Sequence, residues 1–145
     1  MTIYLASDHA GFALKENIKE HLLSLGYVVE DGGAFEENPQ DDYPDFIIPT
    51  ARKVLEHPGS RGIVLGGSGQ GEAMAANKVK GVRAAVYYGG DLEIVRLARA
   101  HNNATVLSLG ARFVSSKEAM EAVQLFLEEP FERGRHEQRI EKMER

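Results

Sequence analysis

Gly62-Ile63-Val64-Leu65-Gly66-Gly67-Ser68-Gly69-Gln70-Gly71-Glu72 runs from a short apolar stretch through a glycine-rich turn into a helical pattern over residues 71–79. An unbroken apolar run bounded by glycines reads as a strand buried on both faces, as in a parallel sheet. The same alternation extends outward. Residues 2–6, 27–31, 83–87 and 105–109 read as four more strands, most of them continuous apolar runs. Helical patterns separate them. Leu14, Ile18, Leu22 and Leu25 recur at helical spacing, with Gly26 as the stop. Ile47, Ala51, Val54 and Leu55 form a stripe opened by Asp42 and Pro44 and closed before Pro58-Gly59. Residues 92–100 supply a fourth helix, and Ala119, Val123 and Phe126 mark a fifth, capped by Ser115 or Ser116. Five β-α repeats imply right-handed crossovers and a doubly wound α/β sheet. Ligands of such sheets bind where loops leave the carboxyl ends of the strands, here after Ser7, Gly66, Tyr88 and Gly110.

With 145 residues, 43% of them hydrophobic, the chain is expected to form one domain, residues 1–145, around one core. A net charge of −5 gives no general attraction to nucleic acid or to an anionic membrane, so any bound anion is held by local geometry. The absence of cysteine removes disulfides, thiolate metal ligands and a thiolate base. No secretory signal or membrane-length apolar stretch is visible, and the cytoplasm is the expected compartment. The segment from about residue 131 to 145 is highly charged, with Phe131, Ile140 and Met143 as its apolar handles. Read alone it is a solvated, fraying terminus, with a segment that reaches a second subunit as the alternative.

The glycine turn is the sharpest local feature. Its amides can converge on an anion, assisted by the following helix N-terminus. A dinucleotide fingerprint would need glycine at 72 and a P-loop would need lysine there, and Glu72 breaks both. A carboxylate at that point suits a different chemistry, in which amides stabilise a developing oxyanion while the glutamate moves a proton. A tight strand-to-helix turn, with Glu72 complementing the helix dipole, fits the same residues. Asp8-His9 ends the first strand, where Asp8 can cap a helix. His101 falls at the end of the fourth helix; it is expected at the same sheet edge as Glu72, where an imidazole could shuttle protons. Arg135 and Arg139 share a helical face and, with Arg112, suit a phosphate monoester. The histidines at 9, 21, 57, 101 and 136 show no metal-ligand spacing, so no metal or cofactor is expected.

Taken together, Ser7-Asp8-His9-Ala10-Gly11, Asp42-Tyr43-Pro44, the Gly66 to Glu72 turn, Ala75-Ala76-Asn77-Lys78, His101-Asn102-Asn103-Ala104 and Gly134-Arg135-His136-x-x-Arg139 resemble the type B ribose-5-phosphate isomerases along nearly the whole chain. Galactose-6-phosphate isomerase subunits share the fold and some of these motifs. The resemblance implies a Rossmann-like three-layer sandwich, with a five-stranded parallel sheet flanked by helices and a C-terminal helical tail. It further implies a homodimer, or dimer of dimers, with a shared active site. Some members carry a cysteine base at the position of Gly66 and others a glutamate where Glu72 stands; this chain resembles the second branch. By carry-over Glu72 shuttles the proton, while Ser68 and the amides of Gly67, Gly69, Gln70 and Gly71 stabilise the enediolate, with Asn102 nearby. Asp8 and His101 open the furanose ring. His9, Arg112, Arg135 and Arg139 hold the phosphate, the last two from the partner, and Tyr43 and His136 are further site candidates. Other substrates consistent with the motifs are allose 6-phosphate and galactose 6-phosphate. A non-catalytic sugar-phosphate-binding subunit is the rival of another class, disfavoured because pure binding needs no proton shuttle.

Overall fold

The computed structural model describes residues 1–145. The apolar runs become strands β1 (Thr2–Ser7), β2 (Val28–Asp31), β3 (Arg61–Gly66), β4 (Ala84–Tyr87) and β5 (Val106–Gly110), all parallel, in the order β2-β1-β3-β5-β4. Helices α1 (Phe12–Ser24), α2 (Pro44–Glu56), α3 (Gln70–Asn77), α4 (Glu93–Ala100) and α5 (Ser116–Glu128) connect and cover them, and α6 (Arg135–Met143) forms the tail.

Alternation along each strand splits the core in two. Ile3, Leu5, Ile63, Leu65, Leu107 and Leu109 face α1, α4 and α5 through Leu14, Ile18, Val95, Val123 and Phe126. Tyr4, Ala6, Val64 and Val106 face α2 and α3 through Ile47, Ala51, Val54 and Ala76. The result is the expected Rossmann-like sandwich of three layers. Its outer strands depart from the expectation of burial on both faces. β2 alternates between exposed and half-buried residues, and β4 is half-buried over most of its length. Both are edge strands, so each lacks a neighbour on one side.

Local signals set the helix ends. Ser115, rather than Ser116, caps α5: its Oγ accepts from the Glu118 amide, and the Glu118 carboxylate accepts from the Ser115 amide, forming a capping box. α3 begins at Gln70, a residue earlier than the pattern suggests, because Gly69 caps it with φ +79, a left-handed conformation natural to glycine.

The tail is not frayed. The Glu132 amide donates to the Ala100 carbonyl at 2.9 Å, buried His136 stacks on His101 with ring centroids 4.2 Å apart, and Glu144 pairs with Arg83 at 2.8 Å. Polar composition points to a solvated tail because these anchors are a stacked ring and an ion pair, which leave no apolar stripe in the sequence.

The chain leaves β1 toward β2 on one side and later leaves β3 toward β4 on the other. At such a reversal, loops diverge from the carboxyl ends of adjacent strands and open a crevice between them. Asp8 follows β1 and the glycine turn follows β3, side by side, since Ser7 pairs with Leu65 in the register.

Candidate active site

At the β1–β3 crevice the Asp8 carboxylate is almost wholly buried and caps the turn His9–Gly11, accepting from the amides of Ala10 (2.9 Å) and Gly11 (3.3 Å). The neighbouring turn after β3 is pinned beneath by its carbonyls. Gly69 accepts from Ser108 Oγ at 2.6 Å, and Gly66 and Gly67 accept from the amides of Ala111 and Arg112. Its amides are left differently. Those of Gly67, Ser68, Gly69 and Gly71 donate to no protein acceptor, and that of Gln70 makes a 3.3 Å contact with Ser68 Oγ. Unpaired amides on a turn that opens a helix form a concentration of donors suited to an oxyanion.

Glu72 lies in the first turn of α3, and its side chain folds back under the loop. It is 4% exposed, and its carboxylate occupies the space directly above the Gly66 α-carbon: a β-carbon built there would lie 1.8 Å from Oε1. Gly66 is therefore glycine because the carboxylate needs its volume. A side chain at 66 and the Glu72 carboxylate would claim one space. Burial pushes the Glu72 carboxyl above the usual carboxylate range; the negative charge of Asp8 adds to the shift, and the glutamate's own amide opposes it. Tyr43 leans on the same turn, its ring filling the space that a side chain at Gly71 would take.

A cationic rim adjoins the turn. The Arg112 guanidinium lies over Gly67, with Nη1 3.0 Å from where a β-carbon would sit. His9 stands opposite, its Nδ1 2.7 Å from Asp41 Oδ1. The hydrogen bond that the His9 ring donates to Asp41 raises the His9 pKa above the ordinary imidazole value. Asp41 was missed in the sequence, where only Asp42 stood out as a helix opener. The contact spans 32 positions, and no spacing rule reaches that far.

One expectation fails. His101 and Asn102 do not share the sheet edge of Glu72. In a parallel sheet each helix runs back antiparallel to the strands, so the end of α4 lies where β5 begins. The Arg83 side chain, at the entry to β4, donates to the carbonyls of Asn102 and Asn103, fixing them at the amino edge. Along β3 the two edges are separated by roughly 16 Å, five steps of about 3.3 Å. Asn102 is therefore not beside the glycine turn of its own chain, and His101 cannot work with Asp8 of that chain. Counting the strand-helix alternation would have revealed this from sequence. His136 and exposed Arg135 and Arg139 on α6 lie at the amino edge too, around His101 and Glu132.

The side chains thus form two groups at opposite edges. The carboxyl edge holds Glu72, Asp8, Ser68, His9, Tyr43, Arg112 and the free amides. The amino edge holds His101, Asn102, His136, Arg135 and Arg139. A cation could be reached by two trios, Asp8 with His9 and Asp41, and His101 with Glu132 and His136. Each offers three ligand atoms, one short of a closed structural zinc site. In the first trio, Oδ1 of both carboxylates is already taken by protein donors. The largest concavity, about 600 Å³, lies along the amino edge between Lys78, Arg83 and Met143. Its one acidic side chain, Glu144, is held by Arg83.

Comparison with known proteins matches residues 3–143 to the ribose/galactose isomerase family model. Ribose-5-phosphate isomerase B of Mycobacterium leprae (strain TN) is 46% identical over 142 residues, covering 97% of this chain and 86% of the relative. Among solved structures, ribose-5-phosphate isomerase B of Mycoplasma genitalium with bound ribulose-5-phosphate superposes with a TM-score of 0.93 at 45% identity, covering 98% of this chain and 93% of that one. A ribose 5-phosphate isomerase of Thermotoga maritima gives a TM-score of 0.93 at 43% identity, covering 99% and 97%.

Proposed function

The chain belongs to the ribose/galactose isomerase family, and from that premise we propose that it is a type B ribose-5-phosphate isomerase that interconverts ribose 5-phosphate and ribulose 5-phosphate through an enediolate, with Glu72 as the base. One observation carries the assignment of the base: a buried carboxylate with a raised pKa, folded against Gly66 beneath a turn whose amides are unpaired.

The steps follow from the residues. His101 protonates the furanose ring oxygen while Asp8 takes the proton of the C1 hydroxyl, opening the ring. The Glu72 carboxylate then removes the proton from C2 of the open aldose. Electron density moves onto O1, where the amides of Gly67 to Gly71 and the Ser68 hydroxyl receive it. Glu72 returns its proton to C1, and O1 gains the proton that O2 loses, leaving the ketose. A carboxyl group raised toward working pH by burial can both accept and release a proton in this cycle. His9 and Arg112 hold the phosphate.

His101, Arg135 and Arg139 take part only if a second copy presents its amino edge to this crevice. We therefore read the active unit as a homodimer, or dimer of dimers, of single-domain chains spanning residues 1–145, with two shared sites. Asn102 and His136 reach the substrate from the same partner edge. The separation of the two groups within one chain supports this reading, because neither alone can both open the ring and move the C2 proton. The cytoplasm is the compartment that such metabolism implies. No helix is long and apolar enough to cross a membrane.

The direct test is incubation of the purified protein with ribose 5-phosphate and EDTA, following ketose formation. Turnover in the presence of chelator is expected. Binding without turnover would point instead to a non-catalytic sugar-phosphate-binding protein.

A further inference from the structure

We propose that Asp41 is the positioning residue for the phosphate end of the site: its carboxylate fixes the ring of His9 so that Nε2–H faces the phosphate. The proposal rests on the isomerase reading for the identity of the ligand, but its geometry is independent of it.

A single oxygen, Asp41 Oδ1, accepts from the His9 backbone amide at 3.2 Å and pairs with the ring Nδ1 at 2.7 Å. Backbone and ring are thereby tied to one point, which leaves the ring little freedom to swing. A partner on Nδ1 also decides which nitrogen remains for the ligand, and here it is Nε2. The Asp41 side chain is only 8% exposed, and its Oδ2 is buried without a partner. No other cation competes for this carboxylate.

Asp41 is itself held in place. The amide of Gly32 donates to Leu5 and that of Ala34 to Ser7, each at 2.7 Å, so the loop begins as an extension of the sheet edge. Buried Lys15 bonds both oxygens of Asp31 at the start of that loop, and the Asp41 amide donates to the Asn38 carbonyl at 3.0 Å. The charged groups that bear on His9 are Asp41 and Asp8, which favour the imidazolium, and Arg112, which opposes it. Asp41 is the one in contact. An imidazolium beside Arg112 places a second positive donor on a phosphate monoester, which is mostly dianionic at neutral pH. A free imidazole would be largely neutral there, with either tautomer open to it.

The test uses Asp41→Asn and Asp41→Glu in the full-length protein. Three readouts are taken from pH 6 to 8.5: NMR titration of the His9 ring, competition by inorganic phosphate, and kcat and KM for ribose 5-phosphate. In Asp41→Asn the His9 midpoint should fall. Above that midpoint KM and the phosphate inhibition constant should rise about tenfold, the loss expected when a charged hydrogen-bonding partner is weakened. kcat should change little, and the difference should shrink at low pH, where His9 is protonated in both proteins. Asp41→Glu should recover part of the affinity. A folded Asp41→Asn variant with an unchanged His9 midpoint overturns the proposal. A lowered midpoint with unchanged phosphate affinity overturns it too, by removing His9 from the phosphate end. Neither result touches the isomerase reading, which fails only if the wild-type protein leaves ribose 5-phosphate unconverted.

Discussion

Replacing Gly66 by alanine asks whether the Glu72 carboxylate must sit where it does. The added β-carbon would fall 1.8 Å from Oε1, 2.1 Å from Cδ and 2.5 Å from Oε2 of Glu72. Non-bonded heavy atoms settle at about 3.5 Å, so the carboxylate must retreat by roughly 1.5 Å. Misplacement of a reacting group by about 1 Å can cost 10²-fold, and we expect kcat/KM to fall by about that factor or more, ~2.7 kcal/mol in the barrier. The three closest atoms all belong to the flexible end of one side chain, so the strand should survive. The assay is the initial rate of ketose formation with ribose 5-phosphate, set beside thermal melts of Gly66→Ala, Glu72→Gln and the double variant. Because the methyl group acts through the carboxylate, the double variant should be no slower than Glu72→Gln alone. Wild-type turnover by a folded Gly66→Ala protein would refute the reasoning, since the carboxylate would have left its place without consequence. Additive losses in the double variant would show that the methyl group disturbs something else.

Glu72→Gln alone should lower kcat by about 10²-fold or more while retaining substrate binding, as for loss of a general base. It should also melt higher than wild type at alkaline pH. The Glu72 carboxyl is raised in the folded state, so its contribution to stability is fully present below the unfolded pKa and is lost as pH rises through the folded one. Glutamine escapes that loss, and parallel melting curves from pH 4 to 9 would contradict it. Mixing inactive Glu72→Gln with inactive His101→Asn should restore about one quarter of wild-type activity after subunit exchange. Half of a random dimer population is then mixed, with one intact site of two; no recovery at all would place both residues in a site built by one chain. Lys15→Met should destabilise the fold by about 3 kcal/mol, the low end for a broken buried pair because Lys19 still contacts Asp31. That corresponds to a loss of roughly 6–12 °C in Tm, read by differential scanning calorimetry.

Much of the fold was legible because its signals are local. Period, glycine stops and caps act within a turn or a strand, and they gave all five strands and the five core helices to within a residue or two. The glycine turn with Glu72 was legible for the same reason, since six positions separate Gly66 from the carboxylate that lies over it. The tail was harder to read, because its anchors are a ring stacked on His101 and an ion pair to Arg83.

The sequence by itself determined that β-α units alternate, which residue types crowd the turn after β3, and that no thiolate could serve as the base. Only the tertiary structure decided how those residues are grouped. Sheet order brings Asp8 beside the glycine turn, and the loop after β2 carries Asp41 across 32 positions to His9. The physical reason is that strands and helices form from contacts between near neighbours in the chain. The crevice is assembled from contacts between distant ones, set by strand order and by the directions in which the helices return.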